Sequence, residues 1–269
     1  MDWEALIDRA KLGDGLALEK VVQHIQDDVY GVSMRMLWHP QDAEDATQEI
    51  LIRIVTHIST FKKDSSFRTW VYKIASNYLL TTRKRRAEKE EITFEKFAEQ
   101  LDEGLKHTSE RPKPEEEALI EEIKIGCTQG MLLCLDRDHR IAYILGEILE
   151  LSSQEAAYIL GISNAAVRKR LSRARKCIQD FMMMKCGIVN PKNRCRCAKR
   201  IPYAIRTRRL QQDHLLFAQH PVRANKQMAI KQIRKLEELR RSAALYRSHP
   251  QYAAPVSLLV KLRSMLGLS

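Results

Sequence analysis

The stretch that most constrains this chain is residues 151–181, LSSQEAAYILGISNAAVRKRLSRARKCIQDF. Ser152 followed by Glu155 spells a capping box, which starts a helix by satisfying backbone N–H groups that have no partner inside it. Gly161 follows about two turns later, where the chain must turn sharply and needs a residue tolerant of positive φ. Ser163 is suited to cap a second helix. Within that helix Val167, Leu171, Ala174 and Ile178 recur at helical spacing, so one face is predicted to pack on Ala157 and Leu160 of the first helix. The other face is basic: six cations and no anion fall between Arg168 and Lys176. A helix that is merely solvated mixes Glu with Lys. A basic helix presented after a tight turn suits the major groove, where some side chains read base edges and others neutralise phosphates. The candidate DNA contacts are Ser163, Asn164, Ala165, Arg168, Lys169, Ser172, Arg173 and Lys176. The competing interpretation is an ordinary helix hairpin with a solvated basic face.

The rest of the chain agrees with an all-α fold. Glycine is scarce, helix formers are dense, and no run of alternating strand residues stands out. Residues 1–86 and 117–181 read as two helical blocks. Between them, residues 87–116 are acidic, end in Pro112 and Pro114, and read as a linker. Residues 182–269 form a basic, cysteine-containing extension with helical character. No apolar run approaches the roughly 20 residues of a membrane helix. The start, MDWEALIDRA, does not resemble a secretion signal, so a cytoplasmic protein with no membrane contact is expected.

The first block holds a second pattern. Over residues 42–60, Ala43, Ala46, Ile50, Ile54 and Ile58 share one helical face, the expected core. Asp45, Gln48, Glu49, Ile52 and Thr56 fall on the other, and an isoleucine among acids and amides suggests a partner surface. A polar loop, FKKDSSF at 61–67, leads into a helix carrying Arg68, Trp70, Tyr72, Lys73, Asn77 and Thr81, then Arg83, Lys84, Arg85 and Arg86. Basic residues interleaved with aromatics fit single-stranded nucleic acid, where stacking contributes about 1–3 kcal/mol per base. Trp70 and Ile74 are equally readable as part of the core.

Two motifs carry a family resemblance. Ser163, Val167, Arg170, Leu171, Arg173, Ala174 and Arg175 resemble the promoter −35-reading hallmark of sigma factors. Residues 42–86 resemble the polymerase-binding and −10-reading region of the extracytoplasmic-function (ECF) class of the sigma-70 family. The resemblance spans about residues 10–181. It implies a non-catalytic initiation subunit whose partners are bacterial core RNA polymerase, through its β′ clamp and β flap, and promoter DNA. Asp45, Gln48, Glu49 and Ile52 would grip the polymerase. Lys62, Lys63, Ser65, Ser66, Arg68, Trp70, Lys73, Asn77, Arg83 and Lys84 would read the −10 element, the loop capturing a flipped base. Primary sigma factors have a tryptophan pair about where Lys73 and Ile74 stand here, so weaker melting and stricter promoter demands are implied. A separate anti-sigma factor is a further partner that the family suggests. In some ECF factors, extensions like this one take over its role.

The extension explains the charge. The chain is +12, yet residues 1–181 sum to −4 and residues 182–269 to +16. A basic tail seeks a polyanion, either nucleic acid or the acidic body of its own chain. It opens with CGIVNPKNRCRC, and Cys186, Cys195 and Cys197 around an Asn190-Pro191 turn form a candidate Zn²⁺ site, with His214 or His220 as a fourth ligand. Redox sensing and a plain thiol cluster fit the same spacing. Cys127 and Cys134 lie in a helical pattern and read as small core residues. A stand-alone repressor would need no 42–86 block. An enzyme is not indicated either, since the chain shows no glycine-rich phosphate loop, no Ser/His/Asp set and no paired carboxylates.

Overall fold

Several helix starts in this chain are fixed by side chains that accept hydrogen bonds from unpaired backbone N–H groups, as the computed structural model shows. It describes residues 3–83, 86–89, 91–106, 117–213, 215–217, 238–249 and 251–266. Asp14 caps α2 (Gly15–Leu37) through Ala17 N at 3.1 Å. Trp38, in the left-handed region at φ 50°, closes that helix, and His39 with Pro40 opens α3 (Pro40–His57). Ser66 caps α4 (Phe67–Thr81) through Thr69 N at 3.1 Å. Before these lies α1 (Trp3–Lys11), and after them a short α5 (Arg86–Lys89).

The chain forms two compact units, Met1–Glu90 with Leu151–Arg168 and Gln251–Ser269, and Glu91–Glu150 with Lys169–Pro250. The first unit is built on α2, α3 and α4. Val21, Val29, Val32 and Met34 of α2 are buried with Val71, Ala75 and Leu79 of α4. Ala43, Ala46, Ile50 and Ile54 are 0% exposed and Ile58 is buried, the face expected from the sequence. In the same unit, α9 (Ser153–Leu160) lies against α4. A C-terminal helix, α13 (Val256–Leu266), lies against α3.

The second unit contains α6 (Phe94–Leu105), α7 (Glu117–Leu133), α8 (Arg137–Tyr143), α11 (Ile201–Arg206) and α12 (Glu238–Arg247). Helix α6 corrects the expectation of a linker over 87–116. Thr93 caps it, Phe97 and Leu101 are buried, and Phe97 stacks on Phe181 with ring centres 5.6 Å apart. Phe94, Phe97 and Leu101 follow helical spacing, a stripe outnumbered by the acids around it. Residues 107–116, with both prolines, lie outside the described residues. Buried Arg140 donates to the carbonyls of Leu132 and Leu135, each at 2.9 Å, and so closes the C-terminus of α7.

A π-turn at Ile144–Ile148 follows α8, and its Gly146 faces Leu171, where a Cβ would stand 2.7 Å from a Leu171 methyl. Among the described residues there is no strand, only one backbone bridge between Cys186 and Cys195. No described helix is long and apolar enough to cross a membrane.

The capping box at α9 is complete. Ser152 Oγ accepts from Glu155 N at 3.2 Å, and Glu155 Oε2 accepts from Ser152 N at 2.9 Å. Replacing Ser152 with Ala is therefore expected to lower stability by about 1 kcal/mol, read as a lower chemical-denaturation midpoint at unchanged m-value.

Candidate nucleic-acid and partner surfaces

The basic helix is α10 (Asn164–Lys185). Gly161, at φ 63° with a left-handed backbone, makes the turn before it. Ser163 Oγ then accepts from Ala166 N at 3.2 Å. Val167, Ala174 and Ile178 are buried, and Leu171 is half-buried. Ala165, Arg168, Lys169, Ser172, Arg173 and Lys176 are exposed, Ser163 is exposed beside its cap, and Asn164 is half-buried. Two cations of the run pair with carboxylates of the same chain. Arg170 reaches Asp138 at 3.1 Å, and Arg175 bonds Glu147. Neither is among the candidate DNA contacts, and the four cations that are, Arg168, Lys169, Arg173 and Lys176, are all exposed.

On α3, Asp45 and Glu49 are exposed, while Gln48 and Ile52 are half-buried on the same side. The 61–67 loop and α4 hold most of the remaining candidates, and their cations already have neighbours. Lys63, at φ 62°, lies 3.0 Å from Asp8 and 3.7 Å from Glu4. Arg68 donates twice to Asp28, each bond at 2.9 Å, and leans over the Tyr72 ring. Lys73 Nζ lies 4.1 Å from the centre of the Tyr158 ring on α9. Trp70 is half-buried in an aromatic cluster, 5.6 Å from both Phe61 and Phe67. Ser66 is committed as the α4 cap, and Ser65 is half-buried. Lys62, Asn77 and Arg83 are exposed; Lys84 lies outside the described residues.

Sequence reasoning missed Tyr158, because the pairing of α9 with α4 leaves no local signal. It also missed the seat of the C-terminal segment. Tyr252 and Leu258 are buried. The Arg35 guanidinium stacks 4.7 Å from the Tyr252 ring centre. Ala254 N donates to Asp27 at 2.9 Å, and Arg263 bonds Glu19. Of the basic tail residues, Arg223, Lys226, Lys231, Arg234 and Lys235 lie outside the described residues.

The three tail cysteines come together with a fourth. Cys127 of α7 lines the same cavity as Cys186, Cys195 and Cys197. The expected role of Cys127 as a small core residue missed this, since nothing in the spacing links it to the tail. His214 and His220, the expected fourth ligands, lie outside the described residues.

Residues 21–89 match the family model Sigma-70 region 2, and residues 125–178 match the model Sigma-70, region 4. An ECF RNA polymerase sigma-E factor of Haemophilus influenzae is 33% identical over 180 residues, covering 66% of this chain and 93% of that protein. The RNA polymerase sigma-H factor of Pseudomonas aeruginosa is 31% identical over 182 residues, again covering 66% and 93%. Among solved structures, CnrH in complex with the cytosolic domain of CnrY matches with a TM-score of 0.48 at 21% identity, covering 67% of this chain and 96% of that one.

Burial pushes the phenols of Tyr30 and Tyr72 up to about 12, and the nearby carboxylates Glu44 and Asp28 add to the shift. Both phenols stay protonated in the folded chain after the unfolded chain has begun to ionise near 10.0. Their contribution is whole below that pH and is lost as pH rises towards 12. Unfolding free energy is expected to fall across this window. Tyr72→Phe should flatten part of the fall, as measured by denaturation at stepped pH.

Proposed function

Because this chain belongs to the ECF class of sigma-70 family factors, which direct promoter-specific transcription initiation and have no catalysis of their own, we propose a specific division of labour among its surfaces. The observation that carries it is the outward cationic face of α10, Arg168, Lys169, Arg173 and Lys176, set behind a capped turn in the same chain as the α3–α4 block. In this reading α10 enters the major groove at the −35 element. The 61–67 loop and α4 take the −10 strand, and Asp45, Gln48, Glu49 and Ile52 meet the β′ clamp of core polymerase in the cytoplasm.

We further infer that the extension restrains the factor in cis. Elements centred near −35 and −10 are about 25 base pairs apart, roughly 80 Å along the duplex. Helices α4 and α9 instead touch, with Lys73 against Tyr158. A factor in this arrangement cannot span a promoter, so α9 must leave α4 before both elements are read. In this reading the tail braces the same unit, through Tyr252 on Arg35 and Arg263 on Glu19 of α2 and through α13 against α3. The Arg263–Glu19 pair contributes at most about 1 kcal/mol, and the buried Tyr252 and Leu258 add apolar contact that polymerase or DNA must displace.

The test is reconstitution with purified bacterial core polymerase and genomic promoter fragments. Promoter-specific transcripts are expected, and failure to bind core polymerase would rule the assignment of the α3 surface out. Arg168→Ala should cost about 1–3 kcal/mol in discrimination at one position of the −35 element if it reads a base. An equal loss on all sequences makes it a phosphate contact instead. Deleting residues 251–269, or replacing Tyr158 with Ala, should raise transcription at limiting factor concentration. Output unchanged by both variants would remove the restraint from this account.

A further inference from the structure

The thiol-lined cavity of the second unit is explained by neither promoter reading nor polymerase binding. Four of the six cysteines surround it, and Leu101, Met131, Phe181 and Ile188 complete an apolar lining. The other two sit apart, Cys177 exposed and Cys134 bonded to the Gly130 carbonyl. The turn that delivers three of the thiols is closely built. Cys186 and Cys195 are joined by a backbone bridge. Asn190 and Asn193 each donate to the Met183 carbonyl at 2.9 Å, and Asn193 also reaches the Cys186 carbonyl at 3.2 Å. These bonds satisfy carbonyls at the end of α10 that the helix itself leaves unpaired. Arg196 ties the Asn193, Cys195 and Pro191 carbonyls together. Gly187 admits no side chain, because a Cβ there would stand 2.1 Å from the Cys195 carbonyl oxygen.

Four thiols lining an apolar cavity need no cations. This cavity nonetheless has a buried cation in its wall, Arg200, whose guanidinium is held by the Leu101 carbonyl at 2.7 Å, while Lys185 beside it already pairs with Asp102 at 2.7 Å. Cations beside an apolar pocket are costly unless the pocket carries negative charge. Thiolates supply that charge when a metal holds them. With sulfur as the donor and carboxylates missing from the lining, the cavity suits a thiophilic d¹⁰ cation and not Mg²⁺ or Ca²⁺.

We propose that Cys127, Cys186, Cys195 and Cys197 form a tetrahedral site for Zn²⁺ that fastens the first turn of the extension to α7. Among the described residues no three His, Cys, Asp or Glu side chains already stand at ligating geometry, so binding draws the sulfurs inward across the cavity they share. Four S–H protons leave to solvent as four S–Zn bonds form. The site then carries two net negative charges, which face Arg200 and Lys185. The proposal is independent of how the extension affects transcription.

The test is metal content of the full chain, purified in reductant without chelator, by elemental mass spectrometry. About one zinc per chain is expected. Cys134→Ser and Cys177→Ser should keep it, while Cys127→Ser and Cys197→Ser should lose most of it. Should the last two fail to fold, Co²⁺ added to the wild-type apo chain gives a second measurement. Intense thiolate-to-cobalt charge transfer with tetrahedral d–d bands supports a four-sulfur site. Octahedral or absent bands overturn it. Full zinc retention in folded Cys127→Ser removes the fourth ligand and overturns the proposal as stated. Recovery of a Cys186–Cys195 disulfide with no metal overturns it in favour of thiol redox.

Discussion

The distribution of anions decides which cations of this chain are available to a nucleic acid. Residues 1–181 sum to −4, and they commit several cations before DNA arrives. Asp8 and Glu4 hold Lys63, Asp28 holds Arg68, Asp138 holds Arg170 and Glu147 holds Arg175. Among the described candidate contacts, Lys62, Arg83 and a short outward row on α10 stay exposed. A protein that neutralises few phosphates binds DNA weakly alone and with a shallow salt dependence. Under the proposed function such a protein would draw affinity from polymerase, and its own DNA contacts would contribute position and choice.

Much of the local structure was legible in the sequence. The capping box, the Gly161 turn, the buried stripe of α3 and the exposed face of α10 are short-range patterns, written within one or two helical turns. The features that escaped were long-range or outvoted. Helix α6 hid because Phe94, Phe97 and Leu101 are few among acids, so composition spoke louder than spacing. The α4–α9 pairing and the cavity holding Cys127 join residues far apart in sequence, and periodicity carries no information about such partners. The pairing of Lys63 and Arg68 was likewise hidden, because their carboxylate partners sit on α1 and α2.

The basic extension also changed meaning. Its net +16 resembles a nucleic-acid tail, yet several described cations face protein acceptors. Arg247 bonds Glu150 at 2.7 Å and the Glu147 carbonyl at 3.0 Å, Arg200 caps the end of α6, and Arg263 meets Glu19. Apolar anchoring accompanies them, with Tyr246 and Tyr252 both buried. Tyr246 donates to the Thr128 carbonyl at 2.7 Å and stacks edge-on against Tyr143. Buried tyrosines, one with its hydroxyl bonded, are features of a packed interface, and a tail meant only for phosphates has no use for them.

In the proposed arrangement Lys73 is a single side chain that would face two partners in turn. Its ammonium rests on Tyr158 while α4 and α9 are together, and the same ammonium is the −10 candidate once they part. Selection on that position is then antagonistic. A substitution that grips promoter DNA more tightly also alters the hold of the closed form, and one that loosens the closed form alters the grip on DNA. In that arrangement background leakiness and maximal promoter strength are coupled through Lys73, and changes at Tyr158 or in the tail contacts would move the first without the second.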